Sequence, residues 1–286
     1  MSDLRTAVRH ATARLSAAGI PSPEVDAVAL AAHALGTDAA QVRRSMVLGA
    51  PEPDGYAALV AERETRVPLQ HLTGRAHFRR LTLAVGPGVF VPRPETEVTA
   101  GLAIDAANAV GPDAVVVDLC TGSGAIALAV KDELLGVRVL AVELSDLAHG
   151  WAVANRDRLG LDVEVRLGDA TTAFDDIEGE VDVVVSNPPY IPVGAVPLDP
   201  EVREHDPQVA LYGGSADGLA IPLAVAARAA RLLRGGGVLV MEHADSQGTS
   251  LPQALRRTGE WVAVLDHADL AGRPRTTVAV RGGGAR

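Results

Sequence analysis

Val181-Asp182-Val183-Val184-Val185-Ser186-Asn187-Pro188-Pro189-Tyr190 is the stretch that decides how the chain is read. Its first half is a run of β-branched valines broken by one acid, the composition of a strand buried on both faces of a sheet. The prolines then stop the strand, because neither carries an N–H to continue a ladder. Pro188 also biases Asn187 toward an extended backbone, which holds the Asn187 side chain at the carboxyl end of the strand. Ligands of open α/β sheets bind at that end.

The tetrapeptide after the strand is nearly all acceptor. The Asn187 side-chain oxygen and the Pro188 carbonyl can each take one N–H from an incoming –NH₂ group, and the prolines offer no competing donor. Tyr190 adds an aromatic face. The set suits a planar, weakly nucleophilic nitrogen, either a glutamine amide or the exocyclic amine of adenine.

Working outward, a βα alternation begins after Gly111-Pro112 and predicts a mostly parallel sheet. Strands are expected near 114–119, 137–143, 163–168, 181–187, 237–242, 261–266 and 275–281. Helices are expected near 124–135, 145–159, 216–233 and 247–258. The long stretch between Pro188 and the next helix has no clear period, which marks a functional loop or a lid.

A second motif opens this alternation. Residues 115–119 run as a strand into Cys120-Thr121-Gly122-Ser123-Gly124, whose glycines permit a ligand close to the backbone. Glu143 ends the next strand, where a carboxylate can accept both hydroxyls of a ribose. The third strand ends at Gly168-Asp169, with Ala170 following, and Asp169 can accept from an adenine amino group. Gly122-x-Gly124-x-x-Ala127 also satisfies a nicotinamide dinucleotide fingerprint. Asp118, an acid just before the turn, suits a cationic sulfonium ligand with an amino-acid tail better than a pyrophosphate. Asn187 to Tyr190 have no role in hydride transfer. Both observations favour S-adenosylmethionine.

The segment before the sheet is different. Leu4, Val8, Ala11 and Leu15 recur at helical spacing, and Ser22-Pro23 reads as a cap opening a helix that Gly36 ends. Asp38 with Gln41 resembles a capping box, and a fourth helix is expected over 54–66. Partial alternation from 78 to 91, with Gly86-Pro87-Gly88 as the turn, predicts a β-hairpin. Arg75, Arg79, Arg80 and Arg93 make this the most basic part of the chain.

Composition narrows the classes. The chain has 286 residues, enough for one large domain and a small one, and is 48% hydrophobic. Its one cysteine, Cys120, excludes an intrachain disulfide and a cysteine zinc cluster, and the eight histidines show no metal-like pairing, so no metal is expected. A net charge of −10 disfavours a duplex-DNA binder. No apolar run is long enough to span a membrane, and the first residues lack a signal peptide's apolar core. A cytoplasmic protein is expected.

Four further stretches sharpen these readings into a resemblance: Pro68-Leu69-Gln70-His71-Leu72-Thr73-Gly74 with Phe78; Val91-Pro92-Arg93-Pro94-Glu95-Thr96-Glu97; Asp206-Pro207-Gln208-Val209-Ala210-Leu211 with Asp217-Gly218-Leu219; and Asp269-Leu270-Ala271-Gly272-Arg273-Pro274-Arg275. With the cofactor turn and Asn187-Pro188-Pro189-Tyr190, they resemble the HemK-type (PrmC) protein-(glutamine-N5) methyltransferases, which modify the glutamine of the Gly-Gly-Gln loop in peptide chain release factors. The resemblance implies an α/β fold: a Rossmann-like seven-stranded S-adenosylmethionine-dependent methyltransferase domain at 98–286, whose seventh strand inserts antiparallel. It also implies a helical substrate-recognition bundle at 1–70 and a linking β-hairpin at 71–97. Asp118, Cys120, Thr121, Gly122, Ser123, Gly124, Glu143, Asp169, Ala170 and Asn187 would hold the cofactor. Asn187, Pro188, Pro189, Tyr190 and Arg93 would hold the substrate, and Asn187, Pro188 and Tyr190 would be catalytic. The expected partner is a release factor, with no membrane and no direct specific nucleic-acid binding. His71 stands where the family more often has tyrosine, Cys120 where it has glycine, and Ala170 where an aromatic often packs on the adenine. The alternatives are an adenine amino-methyltransferase acting on a flipped base in DNA or RNA, and a non-catalytic cofactor-binding paralogue.

Overall fold

The apolar stripe of the first helix has to be covered, and the N-terminal residues cover it with more helices. The computed structural model describes residues 3–283, which divide into two compact units. The first comprises the residues up to 75 together with 85–87 and 197–205. It contains α1 (Leu4–Ala17), α2 (Pro23–Leu35), α3 (Ala39–Val47), α4 (Tyr56–Glu64) and α5 (Leu69–Thr73). Leu4, Val8, Ala11 and Leu15 are buried as their spacing predicts, in one cluster with Ala27, Leu30, Tyr56 and Val60. Asp38 Oδ1 caps α3 by accepting from the Gln41 amide at 2.8 Å. Ser22 stands at its expected cap position but its side chain makes no cap hydrogen bond, and Pro23 alone presets the first turn of α2. Asp3, not foreseen, caps α1 through the Thr6 amide.

This unit also buries charge. The Arg63 guanidinium donates to Asp26 Oδ2 at 2.8 Å and lies 2.9 Å from Glu201 Oε1, while Arg66 donates to the other Glu201 oxygen. Buried charges persist where each is paired, so the helix Pro200–His205 is fixed to this unit by its acid.

The second unit contains 76–84, 88–196 and the residues from 206 onward. The hairpin strands are β1 (Arg75–Phe78) and β2 (Leu81–Ala84). Its turn is at Arg79-Arg80, with Arg79 at φ 52°, and not at Gly86-Pro87-Gly88 as the glycines suggested. The reason is what Arg79 gains. Its amide donates to Glu97 Oε1, and its guanidinium donates to both oxygens of Glu133 and to the Glu97 carbonyl. Arg79 is thus a buried-side strut rather than part of a solvated basic face. Arg80, 70% exposed, reaches Glu133 only at 4.0 Å.

The sheet is built from β3 (Val115–Leu119), β4 (Arg138–Glu143), β5 (Val163–Leu167), β6 (Val181–Ser186), β7 (Leu233–Glu242), β8 (Trp261–Ala268) and β9 (Pro274–Arg281). The helices between them are α6 (Thr96–Val110) ahead of β3, α7 (Ala125–Glu133), α8 (Asp146–Leu159), α9 (the Pro200–His205 helix), α10 (Ala220–Leu232) and α11 (Ser250–Arg257). Strand order is β5-β4-β3-β6-β7-β9-β8. All pairs are parallel except that β9 runs antiparallel to both β7 and β8. This is the expected seven-stranded methyltransferase sheet. No residue of β6 is exposed, as its valines require.

The ladder brings the strand ends into line. Val142, Leu119, Ser186 and Met241 are in register across β4, β3, β6 and β7. The next residues in each strand direction, Glu143, Cys120, Asn187 and Glu242, therefore form one row. Among the described residues no helix is long and apolar enough to cross a membrane.

Replacing Arg79 with Met should remove charge-assisted hydrogen bonds worth roughly 1–3 kcal/mol. Arg80→Ala should stay within about 0.5 kcal/mol of wild type. Denaturant unfolding of the two variants measures the contrast, and equal midpoints would show that Arg79 braces nothing.

Candidate active site

Asn187 owes its position to two decisions in the sequence, a buried strand and a following proline. Its side-chain nitrogen donates to Thr96 Oγ1 at 3.3 Å, at the first turn of α6. That leaves the Asn187 oxygen as a free acceptor. Pro188 is buried, and Pro189 and Tyr190 are half-buried beside it. The Tyr190 hydroxyl donates to Glu242 Oε1 at 3.3 Å, and burial with the nearby Glu242 charge pushes the phenol well above its ordinary range.

The chain after Tyr190 is not a free lid at its root. Ile191 bridges to Tyr212, and Gln247 Nε2 donates to both the Tyr190 and Asp217 carbonyls, at 3.0 and 2.9 Å. Gly218, at φ 73°, lets the backbones touch: a Cβ there would stand 2.1 Å from the Tyr190 oxygen. Arg93 stacks on Phe90 and donates to the fully buried Asp206 carboxylate at 2.7 Å. Its charge is thereby committed to the returning end of the loop.

The glycine turn follows β3, the strand paired directly with β6, and so is next to Asn187 in the same row. Asp118 Oδ2 accepts from Thr121 Oγ1 at 2.6 Å and from the Ala127 amide at 3.1 Å. Its other oxygen is buried with no hydrogen-bond partner. Burial pushes the Asp118 carboxyl up to about 7, against the pull of those two donors. Cys120 adopts φ 70°, a left-handed conformation in which a side chain is strained, and glycine would sit there at ease. Gly122, at φ 59°, has open space where its Cβ would be, whereas a Cβ on Gly124 would meet Leu128 at 2.9 Å. The Ser123 carbonyl accepts from Asn155, which also bonds Ala84 of the hairpin.

Glu143 is held rather than loose: Oε2 accepts from the Gly122 amide at 2.8 Å and Oε1 from the Ser145 amide at 2.9 Å. Each oxygen keeps a lone pair for a further donor. Asp169 is exposed and uses one oxygen to accept from the Thr171 amide and hydroxyl. Ala170 is buried in the sheet's core with Phe174, so no aromatic ring stands at that position. The residues that sequence reasoning missed are Glu242, Thr96, Thr99, Gln247 and Asn155. Glu242 had a visible signal, an acid closing the apolar run Val238-Leu239-Val240-Met241, the pattern already used for Glu143.

A sequence profile described as the PrmC N-terminal domain matches residues 6–74, and one described as the methyltransferase small domain matches residues 80–197. A protein of Streptomyces coelicolor named release factor glutamine methyltransferase is 50% identical over 284 residues, 98% of each chain. The chain belongs to the release factor glutamine methyltransferase family. A relative in Streptomyces pristinaespiralis, 40% identical over 90% of this chain and 89% of its own, is named 4-amino-L-phenylalanine/4-methylamino-L-phenylalanine methyltransferase. Among solved structures, the hMettl16 catalytic domain in complex with the MAT2A 3'UTR hairpin 6 superposes with a TM-score of 0.54. It is 15% identical and covers 80% of this chain and 82% of that one, a likeness of fold alone.

The cofactor of these methyltransferases is S-adenosylmethionine, and the residues present fit it. The orphaned Asp118 oxygen is a buried acceptor awaiting a cationic donor, and Gly122 leaves room above the backbone.

Without a ligand, Asp118 carries a folded pKa above its unfolded value. The stability it contributes is therefore complete below the ordinary carboxylate range and is lost as pH rises through about 7. Glu242, also pushed up to about 7 by burial, acts in the same direction. Asp118→Asn should flatten the fall in unfolding free energy between about pH 5 and about pH 8. Chemical unfolding of the ligand-free protein at both pH values reads this out, and parallel curves for wild type and variant would refute it.

Proposed function

We propose that this chain transfers the methyl group of S-adenosylmethionine to the side-chain amide nitrogen of the glutamine in the Gly-Gly-Gln motif of peptide chain release factors. The observation that carries the reading is the pair of acceptors at the end of β6. Asn187 commits its nitrogen to Thr96 and so turns its oxygen outward, next to a proline carbonyl. Whole-length similarity to a relative of that name supports the same substrate.

S-adenosylmethionine supplies an electrophilic methyl group on a sulfonium. An amide nitrogen is a poor nucleophile because its lone pair is delocalised into the carbonyl. Asn187 and Pro188 accept the two amide hydrogens and hold the nitrogen in line for attack. Positive charge grows on that nitrogen as the methyl arrives, so both acceptors bind it more tightly in the transition state than in the ground state. The proton then leaves to solvent. Tyr190 and Pro189 wall the amide plane, and Arg93 acts by fixing Asp206 and the returning loop.

For the cofactor, Asp118 receives the methionine ammonium, and Cys120, Thr121, Gly122, Ser123 and Gly124 line its path. Glu143, oriented by two backbone amides, takes the ribose hydroxyls. Asp169 accepts from the adenine amine, and Ala170 offers that base less stacking surface than an aromatic would. Residues 1–70 act as the recognition bundle, 71–97 as the hairpin linker and 98–286 as the catalytic domain. The acidic balance supports a protein that recognises another protein and binds no nucleic acid specifically, and a single cysteine is in keeping with a cytoplasmic one.

The Streptomyces pristinaespiralis relative raises a second reading, since an aromatic amine also presents a planar –NH₂ to two acceptors. Incubation with labelled donor, release factors and 4-amino-L-phenylalanine, followed by mass spectrometry, separates the two. Label on the amino acid and none on the Gly-Gly-Gln peptide would overturn the first.

Glu143→Ala should weaken S-adenosylmethionine binding by roughly 1.5–3 kcal/mol, the worth of hydrogen bonds to a charged group. Calorimetry giving wild-type affinity would remove Glu143 from the site.

Asn187→Ala should lower kcat by about 10²–10³, the usual cost of one preorganised partner. The fold survives, because β6 and both prolines remain. Single-turnover methylation across pH is the measurement. A near-wild-type rate would sink the acceptor mechanism and the assignment of this strand end as the reaction centre.

A further inference from the structure

We propose that Glu201 is a positioning residue for methyl transfer: it keys the tip of the loop after Tyr190 into a two-arginine socket of the helical unit, and so holds that loop in its working shape. The inference rests on Asn187 to Tyr190 being the reaction centre and on a release factor being the substrate.

The chain leaves the methyltransferase unit after Val196, contributes 197–205 to the helical unit, and returns at Asp206. The root of this excursion is stitched on the methyltransferase side. The Ile191 amide donates to the Leu211 carbonyl and the Val193 amide to the Ser215 carbonyl, both at 2.8 Å. Asp206, at the return, accepts from Arg93 at 2.7 Å. The tip is built around α9, which is six residues long. A helix below about 12–15 residues does not recover its nucleation cost in water. Asp199 caps α9 by accepting from the Glu201 amide at 3.0 Å, and the remaining support has to come from tertiary contact.

The socket that gives this support is assembled by the helical bundle without the tip. Arg63 donates to Asp26 Oδ2 at 2.8 Å and to the Val67 carbonyl at 3.0 Å. Arg66 donates to the Ala18 and Gly19 carbonyls, at 3.3 and 2.6 Å. Its backbone stands at φ 71°, a left-handed conformation that strains any residue with a Cβ. Two guanidiniums are thus held in place, and Asp26 balances one of them.

Glu201 brings the missing charge. One of its oxygens lies 2.9 Å from Arg63 Nη1, and the other accepts from Arg66. Glu201 and Arg63 are both buried, so a neutral side chain at 201 would leave positive charge uncompensated out of water. The exposed Asp199 stands 3.7 Å from Arg66 and adds little by comparison.

The consequence reaches the reaction centre through the chain. A released tip frees the segments that lead to Ile191 on one side and Leu211 on the other, and Ile191 follows Tyr190 directly. A mechanism that relies on two fixed acceptors tolerates little misplacement. The cofactor residues Asp118, Glu143 and Asp169 belong to the ends of other strands, so cofactor affinity should not follow the tip.

The test separates the key from the fold it sits in. In Glu201→Gln, tryptic cleavage after the exposed Arg203 of α9, read by mass spectrometry, should accelerate about 10-fold with the population of the open tip. The kcat for release-factor methylation should fall by about 10–100-fold, while the Kd for S-adenosylmethionine stays within about twofold. Asp26→Asn disturbs the same cluster but leaves both ion pairs of Glu201, so it should keep wild-type cleavage after Arg203 and near-wild-type kcat. If Glu201→Gln fails to fold, Arg66→Gly removes one pair from the bundle's side while suiting the left-handed backbone, and it should reproduce both effects. Wild-type cleavage and kcat in Glu201→Gln or Arg66→Gly overturn the proposal, as do equal losses in Asp26→Asn and Glu201→Gln. A release factor left unmethylated by the wild type would instead overturn the substrate reading, and the cleavage rates would then decide whether Glu201 holds the tip.

Discussion

A parallel sheet covered on both faces has nowhere to put polar side chains except at its ends. Every residue of β6 is buried, and the ladder to β3 and β7 satisfies its backbone. Chemistry is pushed to the carboxyl ends, where chain direction turns loop amides and side chains toward one another. Because β4, β3, β6 and β7 end in register, Glu143, Cys120, Asn187 and Glu242 follow one another along a single edge. The row is a consequence of hydrophobic register, and the site inherits its spacing from the core.

The same burial gives the acids of this edge different tasks. Asp118 and Glu242 both feel a desolvation that lifts them to about 7. Asp118 leaves one oxygen without a partner, which makes it receptive to a cation. Glu242 accepts from the Thr99 and Tyr190 hydroxyls beside the Arg275 charge, so both its oxygens are already engaged. Glu143 takes two backbone amides and so keeps its orientation before any ligand arrives. Residue type alone does not distinguish these roles; the number of partners each oxygen already has does.

Much of this was legible in the sequence. The valine run predicted a central strand, the βα alternation predicted the sheet, and strand ends 114–119, 137–143 and 181–187 agree with β3, β4 and β6 to within a residue or so. Composition could not locate the hairpin turn, because the glycines at 86–88 are stronger local signals than Arg79, whose left-handed backbone is repaid by Glu97 and Glu133 from distant helices. Arg93 carried the motif, yet its partner Asp206 lies more than a hundred positions away and no local rule connects them. Thr96 was inside a quoted stretch and still passed unnoticed, since a threonine opening a helix has an ordinary explanation. Its importance comes from the Asn187 nitrogen that it accepts from.

The segment after Tyr190 illustrates why such long-range closures matter to the chemistry. Its length and lack of period suggested a lid, but its root is tied down by backbone contacts that only glycine permits. Gly213 approaches the Gly218 carbonyl so closely that a Cβ would stand 1.9 Å away, and Gly218 approaches Tyr190 in the same manner. Gln247 then stitches Tyr190 to Asp217 from below. These contacts spend conformational freedom in folding, before any substrate binds. A mechanism that relies on two acceptors and no general base needs that early expenditure. Acceptors that had to move into line during the reaction would give back in reorganisation what they gained in charge stabilisation. Under the proposed mechanism, the Asp217-Gly218-Leu219 stretch serves the same end as Asn187-Pro188-Pro189-Tyr190, because its contacts with Tyr190 hold the acceptors in place.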